Sequence, residues 1–114
     1  MAWLAGASAD QLFLSAVTLG ELQAGVEMTR RQDPARAEAI EAWVDVLVNT
    51  FNILPMDGAV FRRWAQLMHR RSRDLIEDAM IGATALVHNL TVVTRNIRDF
   101  ERLGLTVINP FERL

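Results

Sequence analysis

The chain has 114 residues, 51% of them apolar, no cysteine, and a formal net charge of −2. This is enough chain for one domain with a genuine core, and it excludes an intrinsically disordered segment, a disulfide framework and a thiolate metal site. The densest apolar run, residues 42–48, is interrupted by Asp45 and is too short to span a bilayer, and the opening MAWLAGASAD lacks the basic start of a signal peptide. These features fit a cytoplasmic protein. All twelve basic residues are arginine, and they are unevenly placed. Residues 1–57 hold eight acids and three arginines, whereas residues 58–114 hold six acids and nine arginines. The second half is therefore the place to expect an anionic ligand.

In chain order, Leu12-Phe13-Leu14-Ser15 reads as a short buried strand. Thr18-Leu19-Gly20-Glu21 has the spacing of a capping box, predicting a helix from Thr18 to about Gln32. Asp33-Pro34 supplies an N-cap followed by proline at the first helical position. The next helix carries an apolar stripe through Ala37, Ile40, Ala42, Trp43, Val44, Leu47 and Val48. Asn52-Ile53-Leu54 is a second strand, stopped by Pro55. Asp57 is expected to cap a helix that turns Val60, Phe61, Trp64, Ala65 and Met68 inward. A charged loop, Arg70 to Asp74, leads to a helix from Asp78 to His88, whose Ala79, Gly82, Ala83 and Ala85 permit close packing. Strands over residues 91–94 and 106–109 flank a short helix beginning near Asp99. Short β-branched strands alternating with helices predict one α/β domain over residues 1–114, with a mostly parallel sheet and helices on both faces.

Glu21, Asp78 and Asp99 each follow a strand or open a helix feeding one edge of that sheet, the edge where open α/β sheets bind ligands. Carboxylates gathered there repel one another unless a cation neutralises them. Hard divalent cations take oxygen ligands, and such an ion can activate water for phosphodiester hydrolysis. Thr94 and Asn96 lie between the third strand and Asp99 and can orient a water or a phosphate oxygen; Arg95 and Arg98 flank the same place.

Four segments, LFLSAVTLGELQAG (12–25), DAMIGATALVHNL (78–90), TVVTRNIRDF (91–100) and VINPF (107–111), together resemble the PIN-domain ribonucleases, and within them the VapC-like toxins of toxin–antitoxin modules. The resemblance covers nearly the whole chain. It implies a PIN-like three-layer α/β/α fold and a Mg²⁺- or Mn²⁺-dependent endoribonuclease that cleaves RNA. It also implies inhibition by a VapB-like antitoxin and a homodimeric state. Carried over by position, Glu21, Asp78 and Asp99 are the metal-binding and catalytic acids, and Thr94, Arg95 and Asn96 are the substrate-binding residues.

One departure stands out. The family opens with a central strand ending in an L-D-T-N-type motif whose Asp is a metal ligand, and no such motif occurs in this sequence. The expectation is a chain lacking its first strand and first catalytic Asp, and therefore weak or inactive as a nuclease. In-frame codons for that strand upstream of Met1 would identify a wrong start site.

Plainer readings compete at each position. Taken singly, Glu21 could close the capping box on Thr18, Asp78 could be an N-cap, and Asp99 could cap the short helix after it. Arg62, Arg63, Arg70, Arg71 and Arg73 read first as a solvated face. The principal alternative function is a catalytically dead binding module that engages an antitoxin or an intact toxin chain through its first two helices. A nucleotide-binding doubly wound domain is disfavoured, because neither G-x-G-x-x-G nor a P-loop is present.

Overall fold

The computed structural model describes residues 13–94, 96–105 and 107–108. The expected loss of a first strand and the start of the first strand at Leu12 lie outside these residues. The chain divides into two compact units, with the boundary between Leu54 and Pro55.

In the first unit, strand β1 (Phe13–Ser15) runs directly into helix α1 (Ala16–Gln32), followed by helix α2 (Pro34–Thr50) and strand β2 (Asn52–Leu54). The two strands pair in parallel, with Leu14 opposite Ile53. Asp33 serves both helices. Its N–H donates to the Thr29 carbonyl at 2.8 Å, closing α1, and its carboxylate accepts from the Arg36 N–H at 3.1 Å, opening α2 ahead of Pro34. The helices pack through fully buried Val26 and Ala37 and nearly buried Val44, with Leu19, Leu22 and Ile40 around them. A polar lace joins the same pair: the Gln23 amide donates to Glu27 and Glu41, and Arg30 pairs with both acids.

α1 does not start at Thr18. It starts at Ala16, with the Ser15 hydroxyl accepting from the Val17 N–H at 3.1 Å. Thr18 and Glu21 are therefore interior helical residues, and the capping-box reading of Glu21 fails.

The second unit contains helix α3 (Gly58–Met68), a 3₁₀ turn (Arg73–Leu75), helix α4 (Ile76–Val87), strand β3 (Val92–Val93), helix α5 (Ile97–Arg102) and strand β4 (Val107–Ile108). Asp57 caps α3 as expected, accepting from the Val60 N–H at 3.0 Å. The strands again pair in parallel, Val92 with Val107, so β3, α5 and β4 form a βαβ unit. The core gathers Val60, Leu67, Leu75, Ala79, Ala83, Phe100 and Leu103.

The inward face of α3 differs in part from expectation. Leu67 is buried, whereas Phe61 is 45% exposed. Phe61 instead meets the Trp64 ring edge-on at a centroid distance of 6.2 Å. The Trp64 indole N–H donates to the carbonyl of Ile76, the first residue of α4, at 3.1 Å. The small residues of α4 do pack closely: a Cβ on Gly82 would come within 2.5 Å of the Leu105 side chain. Gly104 turns the chain after α5 at φ +76°, a conformation that favours glycine. Among the described residues, no helix is long and apolar enough to cross a membrane.

Candidate metal centre

α4 and α5 both begin without a side-chain cap. Asp78 is the third residue of α4 and Asp99 the third residue of α5, so neither is the N-cap it could have been. Both carboxylates lie in the first turn of a helix, where the exposed N–H groups favour negative charge. Because neither carboxylate is used as a cap, both are available to a neighbour.

That neighbour is Asn96. Its side-chain amide nitrogen donates to Asp99 Oδ2 at 2.9 Å and to Asp78 Oδ2 at 3.3 Å. The Asn96 backbone N–H donates to Thr94 Oγ1 at 3.0 Å, which fixes the turn between β3 and α5. Asp78 and Asp99, on different helices, are thus joined through one amide.

The two acids are held in different states. Burial pushes Asp78 above the usual carboxylate range, and the nearby negative charges of Asp99, Glu77 and Asp74 push it further. Asp99 is held below that range, first by the Asn96 amide and then by the Arg102 guanidinium, against an opposing effect of burial. A raised and a lowered carboxyl side by side mark a site with surplus negative charge. Within this unit, among the described residues, no third His, Cys, Asp or Glu joins them to form a larger ligand cluster. Two carboxylates with water still fit a hard divalent ion, since Mg²⁺ is commonly held by one or two carboxylates and several waters.

The PIN domain family matches residues 1–105 of this chain. The chain belongs to the PIN-domain family. Relatives include the VapC ribonuclease Y4jK of Sinorhizobium fredii, 33% identical over 98% of this chain and 84% of its own length. The toxin FitB of Neisseria gonorrhoeae is 32% identical over 97% of this chain and 84% of its length. The crystal structure of FitAcB from Neisseria gonorrhoeae superposes with a TM-score of 0.83 at 30% identity, covering 96% of this chain and 83% of that one. The PIN-like α/β fold expected from the sequence is thereby shown.

Of the site residues expected from the sequence, this PIN chain brings together Asp78, Asp99, Asn96 and, through its backbone contact, Thr94. Glu21 is an exposed residue of α1, in the other compact unit. Arg95 lies outside the described residues. The sequence reading missed Asp74 and Arg102. Arg102 pairs with Asp74 at 3.0 Å and with Asp99 at 3.3 Å. The Arg102–Asp99 spacing of three on a helix was a usable signal; the Asp74 contact was not, because it depends on packing between distant segments. Among the loop arginines, Arg71 is structural, donating from Nε to the Leu67 carbonyl at 2.8 Å and from Nη1 to the Arg102 carbonyl. Arg73 lines a cavity of about 300 Å³ with Asp74, Ile76, Glu77 and Asp78.

The Asp78 shift has a stability consequence whose sign is fixed. The folded chain binds a proton at Asp78 more readily than the unfolded chain does. Metal-free stability should therefore rise as pH falls through the raised folded value of Asp78, and stop rising below the ordinary carboxylate value. Asp99 acts oppositely: its stabilisation is present above its ordinary value and is lost as pH falls through its lowered folded value. In thermal melts from pH 7 to pH 4 in a chelator, the wild type should gain stability relative to Asp78→Asn as pH falls. An identical pH response in the two proteins would refute the assignment.

Proposed function

We propose that the chain is an endoribonuclease of the VapC toxin type, using Mg²⁺ or Mn²⁺ held by Asp78 and Asp99. The observation that supports this reading most is the Asp78–Asn96–Asp99 cluster, found in a PIN-family chain whose relatives include a VapC ribonuclease and a toxin. When bound, the ion would supply an activated water and neutralise charge developing on the scissile phosphodiester.

The chain's own groups have separate tasks. Asn96 holds the two carboxylates to a common point, and Thr94 holds Asn96. Asp99 stays ionised beside its amide and guanidinium donors, so it offers a permanent negative charge. Asp78, more basic than an ordinary aspartate, accepts a cation or a proton readily. Arg95 and Arg98 flank this cluster in sequence, and the surplus of arginine after residue 57 favours an RNA backbone there.

A VapB-like antitoxin is the proposed protein partner, a reading supported by the relatives named above. A homodimer is proposed with it. One observation favours the alternative of a catalytically inert binding module: α2 exposes Trp43 at 53% and Val46 at 58%, one turn apart. RNA cleavage assays separate the readings. Cleavage that requires Mg²⁺ or Mn²⁺, stops in chelator and is lost in Asp78→Asn supports the nuclease. Cleavage that persists in chelator rejects the metal assignment. Complete absence of cleavage together with capture of the antitoxin supports the binding module.

A further inference from the structure

Arg102 is tied to two acids at once. Its Nη1 donates to Asp74 Oδ2 at 3.0 Å and to Asp99 Oδ1 at 3.3 Å, and its Nη2 donates to Asp74 Oδ1 at 3.4 Å. Asp74 therefore takes both ends of the guanidinium fork, a geometry that fixes the plane of the group. The backbone of Arg102 is anchored separately, its carbonyl accepting from Arg71 Nη1.

The effect falls on Asp99. Its Oδ1 accepts from Arg102 and its Oδ2 from Asn96, the amide that also reaches Asp78 Oδ2. The terminal torsion of an aspartate is broad and poorly fixed by itself. Donors on both oxygens fix it here, with the Oδ2 edge on the side shared with Asp78.

We propose that Arg102, clamped by Asp74, is a positioning residue that sets the Asp99 carboxylate for cation capture. The proposal rests on the reading of Asp78 and Asp99 as metal ligands. It makes a prediction opposite to simple electrostatics. A guanidinium beside a cation site repels the incoming ion, so removing its charge alone should tighten binding. If Arg102 acts by orienting Asp99, removing it should loosen binding instead.

The test is a Mn²⁺ titration by calorimetry of the full chain and its Arg102→Gln, Arg102→Lys, Asp74→Asn and Asp78→Asn variants. Substitutions behind metal ligands typically weaken binding about 10- to 100-fold. Arg102 is 42% exposed, so the lower end, about 10-fold, is expected for Arg102→Gln. Arg102→Lys, which keeps the charge but not the fork, should recover only part of that loss, and Asp74→Asn should weaken binding in the same direction by a smaller factor. In the metal-free protein, the Asn96 side-chain amide resonances should move in Arg102→Gln and return towards wild type in Arg102→Lys. If Arg102→Gln fails to fold, Arg102→Lys carries the test, since it keeps the charge and loses the fork on Asp74. Unchanged or tighter Mn²⁺ binding in Arg102→Gln, or in Arg102→Lys where that variant carries the test, overturns the positioning role while leaving the metal site standing. No Mn²⁺ binding by the wild type, or equal binding by Asp78→Asn, overturns the metal site itself and the positioning role with it.

Discussion

Asp78→Asn is expected to shift stability in opposite directions with and without a divalent cation. In chelator the substitution removes a partly buried charge that faces Asp99, Glu77 and Asp74, while an asparagine oxygen can still accept from Asn96. Discounted for solvent screening, the gain should be about 0.5 kcal/mol. At a Mn²⁺ concentration 100 times its dissociation constant, the wild type should instead gain about 2.7 kcal/mol, and the variant should gain little. For a chain of this length that is a rise in melting temperature of roughly 10 °C for the wild type. Asp99→Asn should lose the same Mn²⁺ effect, and the double variant should lose no more than either single one, because the two acids act on one ion. Thermal melts in chelator and in Mn²⁺ provide the measurement. A full Mn²⁺ shift retained by Asp78→Asn would remove Asp78 from the site.

The second large effect is expected at Phe100, the residue next to Asp99. Phe100 is 2% exposed and sits in the core with Leu75, Ala83 and Leu103, its ring within 3.9 Å of where a Gly82 Cβ would lie. Phe100→Ala should cost about 3–5 kcal/mol through lost burial and an unfilled cavity. Against a typical total of about 5–15 kcal/mol, that threatens folding. Phe100→Leu keeps most of the volume and should cost less than about 1.5 kcal/mol. Urea denaturation monitored by circular dichroism measures both. A cost below about 1 kcal/mol for Phe100→Ala would mean that α5 is not docked through this ring. The alanine variant, where it folds, should also bind Mn²⁺ more weakly, since Asp99 stands next to Phe100 in the same turn of α5.

Much of this was legible in the sequence wherever a local rule acts without competition. Asp33-Pro34 marks a helix junction, Asp57 a cap, and Pro55 a strand end, and each holds in the structure. Local rules failed where two residues qualified for one role. Ser15 and Thr18 can both cap a helix; the structure uses Ser15, and the strand–helix junction moves three residues towards the N-terminus. α4 begins at Ile76 rather than Asp78 because a 3₁₀ turn feeds directly into it, and no capping residue marks that start. On α3 the apolar residues outnumber the positions that one face can bury, so pattern alone could not choose Leu67 over Phe61. The acids at 78 and 99 were visible as residues. Their linkage through Asn96, and the Asp74–Arg102 clamp spanning 28 positions, arise from packing that no short window of sequence contains.

The hydrogen bond from the Trp64 indole to Ile76 also equips the protein with an intrinsic optical probe. Indole emission responds to whether its N–H is bonded to protein or to water, and Ile76 stands two residues before Asp78 at the head of the same helix. With Trp3 and Trp43 replaced by phenylalanine, the single remaining fluorophore would follow loosening at the start of α4 in real time, without a label.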